Sequence, residues 1–390
     1  MILVGIDIAK DKHECFIRTL EGSVLHKPFS ITNNIEGFEE LYSKICSCND
    51  KGVKVGLEAT GHYSYSILGF LLSKDLPTFV LNPLRTSQFR KSLTLRKTKT
   101  DKVDAKTIAT ILASNLDLTP YTHAAFQNEE LKSLTRYRFE KVRQRAKLKQ
   151  SIARLCNILF PELESAVSTL HLNCIYAMLL KYPSAKDIAK SRFDTFANLI
   201  ESASNGRLDK LKAKEIRNLA RKSVGVYISA KAMELKHTIK LIQVLDSDIE
   251  EIEQQIQTAF QDSPITTIPG ITFKMAAMIQ AEIGDFNRFS SPDKILAFAG
   301  LSPTTYQSGN FVSSKAKMDK RGSRYLRYAL FISAQYVSMW CPVFKDYYRK
   351  KRSEGKHYFV ALSHVAKKLI RIICHLQKTG EPFKIGRAHV

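Results

Sequence analysis

The spacing of apolar and polar positions over residues 1 to about 120 predicts an α/β domain. The first apolar run, Ile2–Ile8, is rich in β-branched residues, which is typical of a buried strand. The elements predicted after it are strands at Glu14–Thr19 and Leu25–Ile31, a helix at Asn34–Ile45, a strand at Val53–Ala59, a helix at Tyr65–Leu72, a strand at Pro77–Asn82 and a helix at Asp101–Ala113. Three strands followed by alternating helices and strands indicate a mixed sheet.

This order of elements matches a ribonuclease-H-like, or RuvC-like, domain, in which carboxylates gather at the ends of strands. The rest of the chain is predicted to be mainly α-helical, so the expected fold class is α/β plus α. Residues 127 to 160 form a basic helical stretch, and residues about 163–205 show no clear periodicity. The domains expected are 1–125, 126–262 and 263–384, since a chain of 390 residues is too long for one typical domain.

A long helical tract, Asp209–Phe260, contains apolar residues at heptad spacing. They are Leu245, Ile249, Ile252 and Ile256, which step by four, three and four positions. This rhythm favours a coiled coil, either antiparallel within the chain or between subunits, and an amphipathic helix packed on its own domain fits equally well. Further on, an Ile268-Pro269-Gly270-Ile271 turn between two predicted helices resembles a helix-hairpin-helix, whose turn amides hold phosphate.

The charge of the chain points to a polyanionic partner. Lys and Arg outnumber Asp and Glu by 60 to 37, which gives a net charge of +23 and favours nucleic acid. A membrane is not expected, since no run of about 18 apolar residues occurs. The N-terminus runs straight into a strand pattern without a signal peptide, and the seven cysteines are scattered, so a cytoplasmic bacterial protein with reduced thiols is expected, associated with the nucleoid when it acts.

Four carboxylates are candidates for metal-dependent chemistry: Asp7 inside an apolar strand, Glu58 at the end of another, and Asp101 and Asp104 on one face of a helix. Four hard oxygen ligands suit two Mg²⁺ or Mn²⁺ ions, which promote phosphodiester chemistry. Taken alone, the two helical acids fit a solvated helix start just as well, with Thr100 or Asp101 itself as the cap. Asp11, Glu14 and Asp50 are expected on loops or exposed edges.

The chain resembles the insertion-sequence-110 family of bacterial transposases over most of its length. The motifs that carry the resemblance are Gly5-Ile6-Asp7-Ile8-Ala9-Lys10, Glu58-Ala59-Thr60-Gly61, Asn82-Pro83, Arg96-Lys97-Thr98-Lys99-Thr100-Asp101-Lys102-Val103-Asp104-Ala105, Ile268-Pro269-Gly270-Ile271, Ala297-Phe298-Ala299-Gly300-Leu301-Ser302-Pro303, Tyr306-Gln307-Ser308-Gly309 and Lys320-Arg321-Gly322-Ser323-Arg324-Tyr325-Leu326-Arg327. Residues about 160–235 are longer than in compact members of the family.

The resemblance implies a DNA transposase with an N-terminal DEDD site and a C-terminal serine nucleophile, Ser308. It also implies donor and target DNA, a noncoding guide RNA from the same element, and a homodimer or tetramer. Taken alone, Ser308 reads as an ordinary loop serine, and Ser302, Ser313 and Ser314 do not match the motif position. The competing hypotheses are a RuvC-like endonuclease or resolvase with water as nucleophile, and a nucleic-acid-binding protein with a degenerate nuclease fold.

Basic residues beside these motifs are candidate nucleic-acid ligands. Those selected are Arg96, Lys97, Lys99, Lys315, Lys317, Lys320, Arg321, Arg324 and Arg327. The basic helix offers a second set, namely Arg136, Arg138, Lys141, Arg143, Arg145 and Lys147, and charge runs of this kind are also common on solvated helix faces. The last six residues, Ile385–Val390, resemble a translated sequencing adapter, and we expect that a complete genomic read would not encode them.

Overall fold

The structure is a computed structural model that describes residues 1–48, 52–59, 61–93, 100–114, 118–303, 307–308, 311–312 and 318–385. The side chains of 123–127, 307–308 and 311–312 are not among the described parts. The chain forms two compact units. One contains Met1–Glu130 and Gly284–Ser290, and the other contains Leu131–Ile283 and the chain from Ser291 onward.

The first unit contains a five-stranded mixed sheet. Its elements in chain order are β1 (Ile2–Ile8), β2 (Lys12–Thr19), β3 (Val24–Thr32), α1 (Ile35–Ser47), β4 (Val53–Glu58), α2 (Tyr65–Ser73), β5 (Thr78–Leu81), α3 (Pro83–Leu93), α4 (Asp101–Ala113) and the start of α5 (His123–Leu159). The strand order is β3-β2-β1-β4-β5. β2 is antiparallel to β1 and β3, whereas β1, β4 and β5 are parallel. The predicted mixed sheet is therefore present, with strand boundaries shifted by one or two residues.

Helices cover both faces of this sheet, so β1 is buried on both sides. Ile2, Val4 and Ile6 pack in one core with α1 and α2, and Leu3 packs against α4 on the opposite face. One helix, α3, was not predicted. It starts at Pro83 in a segment without an apolar stripe, so its sequence carries no helical periodicity.

The described residues of the second unit form helices and one small pair of strands. After α5, its elements are α6 (Leu163–Ala166), α7 (Asn173–Lys181), α8 (Ala185–Lys190), α9 (Phe193–Ala203), α10 (Lys210–Arg221), α11 (Ser229–Ala259), α12 (Phe273–Ile283), α13 (Pro292–Phe298), β6 (Gln307–Ser308), β7 (Phe311–Val312), α14 (Arg324–Trp340), α15 (Pro342–Ser353) and α16 (Tyr358–Thr379). Residues 163–205, whose sequence shows no clear periodicity, form the short helices α6 to α9. Within the described ranges, none of the helices is both long and apolar enough to cross a bilayer.

Helices α5 and α11 pack antiparallel in the second unit. Ion pairs join them along their length, namely Arg138 with Glu253, Lys141 with Asp248, Arg145 with Asp246 and Arg154 with Glu234, at N–O distances of 2.5–2.7 Å. The heptad residues Leu245, Ile249, Ile252 and Ile256 are all buried. Of the alternatives for this tract, the structure favours antiparallel packing within the chain.

The Pro269-Gly270 turn precedes α12, and the element before it is a single 3-10 turn, Pro264–Thr267, where the sequence predicts a helix. Gly270 has a φ of 97°, and a Cβ atom there would lie 2.9 Å from the backbone carbonyl of Tyr336 in α14. The turn is thus packed closely against α14. Its expected role in holding phosphate stays a prediction.

Candidate functional site

Two glycines on adjacent strands allow α4 to approach one face of the sheet. A Cβ atom at Gly5 of β1 would lie 2.1 Å from the carbonyl oxygen of Ala105 and 2.6 Å from the backbone nitrogen of Ala109. A Cβ atom at Gly56 of β4 would lie 2.9 Å from Cγ2 of Ile108. Backbone atoms leave no room for a side chain at Gly5, so glycine is required there, whereas a side chain at Gly56 would force the side chains of Ile108 and Leu112 to shift. The backbone of α4 therefore lies directly on β1.

α4 runs antiparallel to β1, so its first turn lies toward the carboxyl end of that strand. Leu3, near the start of β1, packs with Leu112 near the end of α4, whereas Gly5 meets Ala105. Asp7 comes two residues after Gly5. Because side chains alternate along a strand, Asp7 points to the face that α4 covers.

Glu58 extends this arrangement to the neighbouring strand. The parallel strands β1 and β4 pair Ile6 with Leu57, so Asp7 and Glu58 are the next residues on the two strands. Glu58 comes two residues after Gly56 and points to the same face. Both acids are half-buried. The structure thus places two of the four predicted acids at neighbouring positions on one face of the sheet.

The other two acids begin α4. Asp101 lies one helical turn before Ala105, and Asp104 lies one turn before Ile108, so both acids continue the stripe of α4 that faces the sheet. The hydroxyl of Thr100 caps the helix by accepting a backbone hydrogen bond. Asp101 is exposed, whereas Asp104 is 6% exposed. All four acids therefore belong to the same face of the sheet, at the end where β1 and β4 terminate.

Arg90 of α3 neutralises Asp104 in this structure. Its Nη1 atom lies 2.5 Å from Oδ1 of Asp104, and the two side chains are 19% and 8% exposed. In the part of the chain that the structure describes, no three Asp, Glu, His or Cys side chains are close enough together to hold a metal ion. The four acids thus lie on one face, near the ends of β1 and β4, but in this structure their side chains do not form a coordination shell.

A fifth acid, Glu14, lies beside them and was not selected from the sequence. It was expected on a loop or an exposed edge, but the structure places it within β2, directly opposite Asp7 and 5% exposed. The prediction was wrong because β2 begins at Lys12, two residues before the predicted start. Asp11 is exposed as expected, and Asp50 lies outside the described residues.

Ser308 is the last residue of β6, where it pairs with Phe311 of β7. This places the predicted nucleophile in a two-stranded antiparallel hairpin of the second unit. Five of the predicted nucleic-acid ligands, Arg96, Lys97, Lys99, Lys315 and Lys317, lie outside the described residues. The four basic residues that follow the hairpin are described.

These four residues differ in their contacts. Lys320 is exposed, and Arg321 forms hydrogen bonds with Asp319 that hold the pKa of this carboxyl below its ordinary value. Arg324 is 55% exposed and lies 2.6 Å from Glu140. Arg327 donates to the carbonyl oxygens of Ala299 and Lys320, at 2.9 and 3.2 Å. Arg327 therefore has a structural role, whereas the side chains of Lys320, Arg321 and Arg324 extend toward solvent.

An apolar groove of about 550 Å³ lies beside these cations, between α14 and α16. Its lining includes Tyr328, Phe331, Tyr358 and Phe359, as well as Lys320, Arg324 and Arg327. Phe359 is 62% exposed. Aromatic rings next to cations are the combination that proteins use to stack bases and hold phosphates of unpaired nucleic acid.

The basic residues of α5 are engaged differently. Arg138, Lys141 and Arg145 pair with acids of α11, and Arg136 donates two hydrogen bonds to the buried carboxylate of Glu282. Their charge is therefore largely neutralised within the fold. These four cations thus pair with acids within the second unit, which differs from the solvated face that the sequence also suggests, and a role of this helix in nucleic-acid binding stays a prediction.

Comparisons with known proteins agree with the motifs. Residues 4–161 match the model of a DEDD transposase family of the IS110 type, and residues 262–349 match the model described as the Transposase IS116/IS110/IS902 family. An insertion element IS116 protein of Streptomyces clavuligerus is 24% identical over 95% of this chain and 93% of its own length. A pilin gene-inverting protein of Moraxella lacunata is 24% identical over 97% of both chains.

The two family models account for both ends of the chain, and the relatives align with it almost from end to end. The N-terminal match contains all four predicted acids, and the C-terminal match contains Ser308 and the basic residues after it. The chain belongs to the IS110/IS116 family of transposases.

Proposed function

We propose that this transposase cuts and rejoins DNA strands with a divalent-cation site formed by Asp7, Glu58, Asp101 and Asp104 in a RuvC-like domain, and with Ser308 as the nucleophile. The observation that carries the proposal is the placement of the four acids on one face of the sheet, where β1 and β4 end and α4 begins. Carboxylate oxygens are the ligands that Mg²⁺ and Mn²⁺ prefer, and two ions fit this number of acids.

The protein side chains have separate tasks in this proposal. The acids hold the cations, which when bound supply Lewis acidity that neutralises the phosphate. The hydroxyl of Ser308 attacks phosphorus, and a bond from its Oγ to phosphorus forms while the bond from phosphorus to one DNA oxygen breaks. The departing oxygen keeps the electron pair and takes up a proton, which balances the proton that the hydroxyl of Ser308 loses as its Oγ bonds to phosphorus. The phosphoserine link conserves the phosphodiester for rejoining, because the attack of a DNA hydroxyl reverses the step.

Charge and relatives support the nature of the substrate. The net charge of +23 favours a polyanion, and the exposed cations beside the aromatic groove are suited to phosphates and unpaired bases. A relative named for inverting a gene supports rejoining as well as cutting. The resemblance to the insertion-sequence-110 family adds a noncoding guide RNA and a dimer or tetramer to the proposal.

A strand-exchange assay tests the proposal. Purified protein, RNA from the flanks of its element, labelled donor and target DNA and Mg²⁺ are combined, with Asp7→Asn, Ser308→Ala and the control Ser302→Ala compared with wild type. We expect wild type and Ser302→Ala to leave DNA attached to protein on a denaturing gel. Asp7→Asn and Ser308→Ala should lose at least about a hundredfold in product, since each removes a required group.

The main alternative function is a RuvC-like endonuclease or resolvase that uses water as nucleophile. Under that alternative, Ser308→Ala would cut DNA at the wild-type rate and no protein–DNA adduct would form, whereas Asp7→Asn would still be inactive. That outcome would overturn the serine assignment and retain the acidic site. Cutting by wild type that is unaffected by chelation of divalent cations would overturn the acidic site instead.

A further inference from the structure

The register of β1 and β2 adds a member to the row of acids on the α4 face. Glu14 lies directly opposite Asp7 in the antiparallel pair. Residues in such a pair point to the same face, with Cβ atoms about 5 Å apart. Phe16, two positions after Glu14, packs against Ala105 and Ala109 of α4, which confirms the face independently. Glu14, Asp7 and Glu58 therefore occupy adjacent positions on three neighbouring strands.

The carboxylate of Glu14 is oriented but only partly satisfied. The hydroxyl of Ser30, its cross-strand neighbour on β3, donates a hydrogen bond to Oε1. Lys12 lies 3.9 Å from the same oxygen and is 61% exposed. The other oxygen, Oε2, is buried and has no hydrogen-bond partner among the described residues. A buried carboxylate oxygen in this state is unfavourable unless a cation or a donor reaches it.

We propose that Glu14 is a fifth carboxylate of the divalent-cation site, which supplies Oε2 as an oxygen ligand beside Asp7. The inference rests on the proposed function, because it assumes that Asp7 holds a cation. Ser30 acts as a positioning residue, since its hydrogen bond fixes Oε1 and leaves Oε2 for the cation. The added carboxylate raises the negative charge of a site whose Asp104 is paired with Arg90 in this structure.

A purely structural role would make a different prediction. If Glu14 only joins β2 to β3 through Ser30, then Glu14→Gln should preserve that role, because the amide oxygen accepts the same hydrogen bond. A ligand role is lost in Glu14→Gln, because the amide has no charge and is a weak ligand for Mg²⁺ or Mn²⁺. The substitution keeps the size and shape of the side chain, so the two roles are separated by the binding of Mn²⁺ itself.

The experiment measures Mn²⁺ binding to the full chain by calorimetry, without nucleic acid, for wild type, Glu14→Gln, Asp7→Asn and the exposed control Glu36→Gln. We expect Glu14→Gln to raise the Kd for Mn²⁺ by about tenfold or more, with an unchanged far-ultraviolet circular dichroism spectrum and a normal unfolding transition. Glu36→Gln should bind as wild type does. Ser30→Ala keeps the carboxylate of Glu14 but removes the hydrogen bond that orients it, so this variant should raise the Kd for Mn²⁺ about threefold.

Two results overturn the inference, and they differ in what they imply for the proposed function. If Asp7→Asn loses Mn²⁺ binding while folded Glu14→Gln binds with wild-type affinity, Glu14 is not part of the site and the four-acid proposal stands. If wild type binds no Mn²⁺, both fail together. Should Glu14→Gln not fold, Ser30→Ala decides the question, and unchanged Mn²⁺ affinity in that variant counts against the inference.

Discussion

Asp104 is a buried acid whose partner in this structure is a half-buried cation, Arg90. An ionised carboxylate that is 6% exposed requires compensation, and the guanidinium of Arg90 supplies it. A divalent cation at the same carboxylate would compete with Arg90, because both are attracted to the same oxygens. At the scale of single residues, Arg90 of α3 therefore stabilises Asp104 in this structure, and under the proposed function a bound cation would displace it.

This competition predicts the behaviour of Arg90→Gln. Without divalent cations the variant should be less stable by about 2 kcal/mol, because the buried carboxyl of Asp104 loses its partner. Added Mn²⁺ should raise its melting temperature by more than that of wild type, since binding then has no guanidinium to displace. Thermal melts with and without Mn²⁺ measure both effects, with the exposed neighbour Lys91→Gln as control. Equal stabilisation of wild type and Arg90→Gln by Mn²⁺ would show that Arg90 and the cation do not compete.

At the scale of helices, ion pairs hold the antiparallel helices α5 and α11 in register. Glu253 of α11 is bound by Arg138 of α5 and by Lys274 of α12. Burial alone would raise the pKa of Glu253, but the hydrogen bonds from Lys274 and Arg138 outweigh it and lower the pKa below the ordinary 4.5. One carboxylate thus links three helices, and its ionised form is the one that stabilises them.

A carboxylate with a lowered pKa stabilises the fold above its unfolded-state pKa and loses that contribution as the pH falls through the folded-state value. Glu253→Gln should therefore reduce the free energy of unfolding at pH 7 by about 1–2 kcal/mol. The difference from wild type should shrink as the pH falls below about 4.5. Urea unfolding at several pH values measures it. Glu251→Gln, an exposed change on the same helix, should have little effect at any pH, and a pH-independent loss in Glu253→Gln would contradict this assignment.

The sequence was informative where one physical pattern decided the structure. The strands of the first unit were predicted because burial on both faces gives short apolar runs, and the acids were found because they interrupt such runs at Asp7 and Glu58. Helix α3 was missed because its residues are mostly polar. The position of Glu14 was missed for a different reason: it depends on the cross-strand register with Asp7, which spacing along one strand does not contain.

For the whole molecule, the net charge of +23 gives the excess of positive charge, but it does not show which cations are exposed and able to contact nucleic acid. In the second unit, cations of α5 such as Arg145 are paired with acids of α11, whereas Lys320 is exposed beside the aromatic groove. Two cations that are equivalent in the sequence are thus expected to differ in function. Affinity for nucleic acid should depend on exposed cations such as Lys320.

Salt dependence of binding distinguishes the two kinds of cation. Each phosphate contact contributes about 0.9 to the slope of log K against log salt concentration on duplex DNA, because binding releases condensed counterions. Lys320→Ala should lower the magnitude of this slope by about that amount, whereas Arg145→Ala should leave it unchanged, since Asp246 already neutralises Arg145. Fluorescence anisotropy with a labelled duplex over a range of salt concentrations measures both slopes. Equal reductions for the two variants would mean that the ion pairs of α5 open on binding and that the helix faces nucleic acid after all.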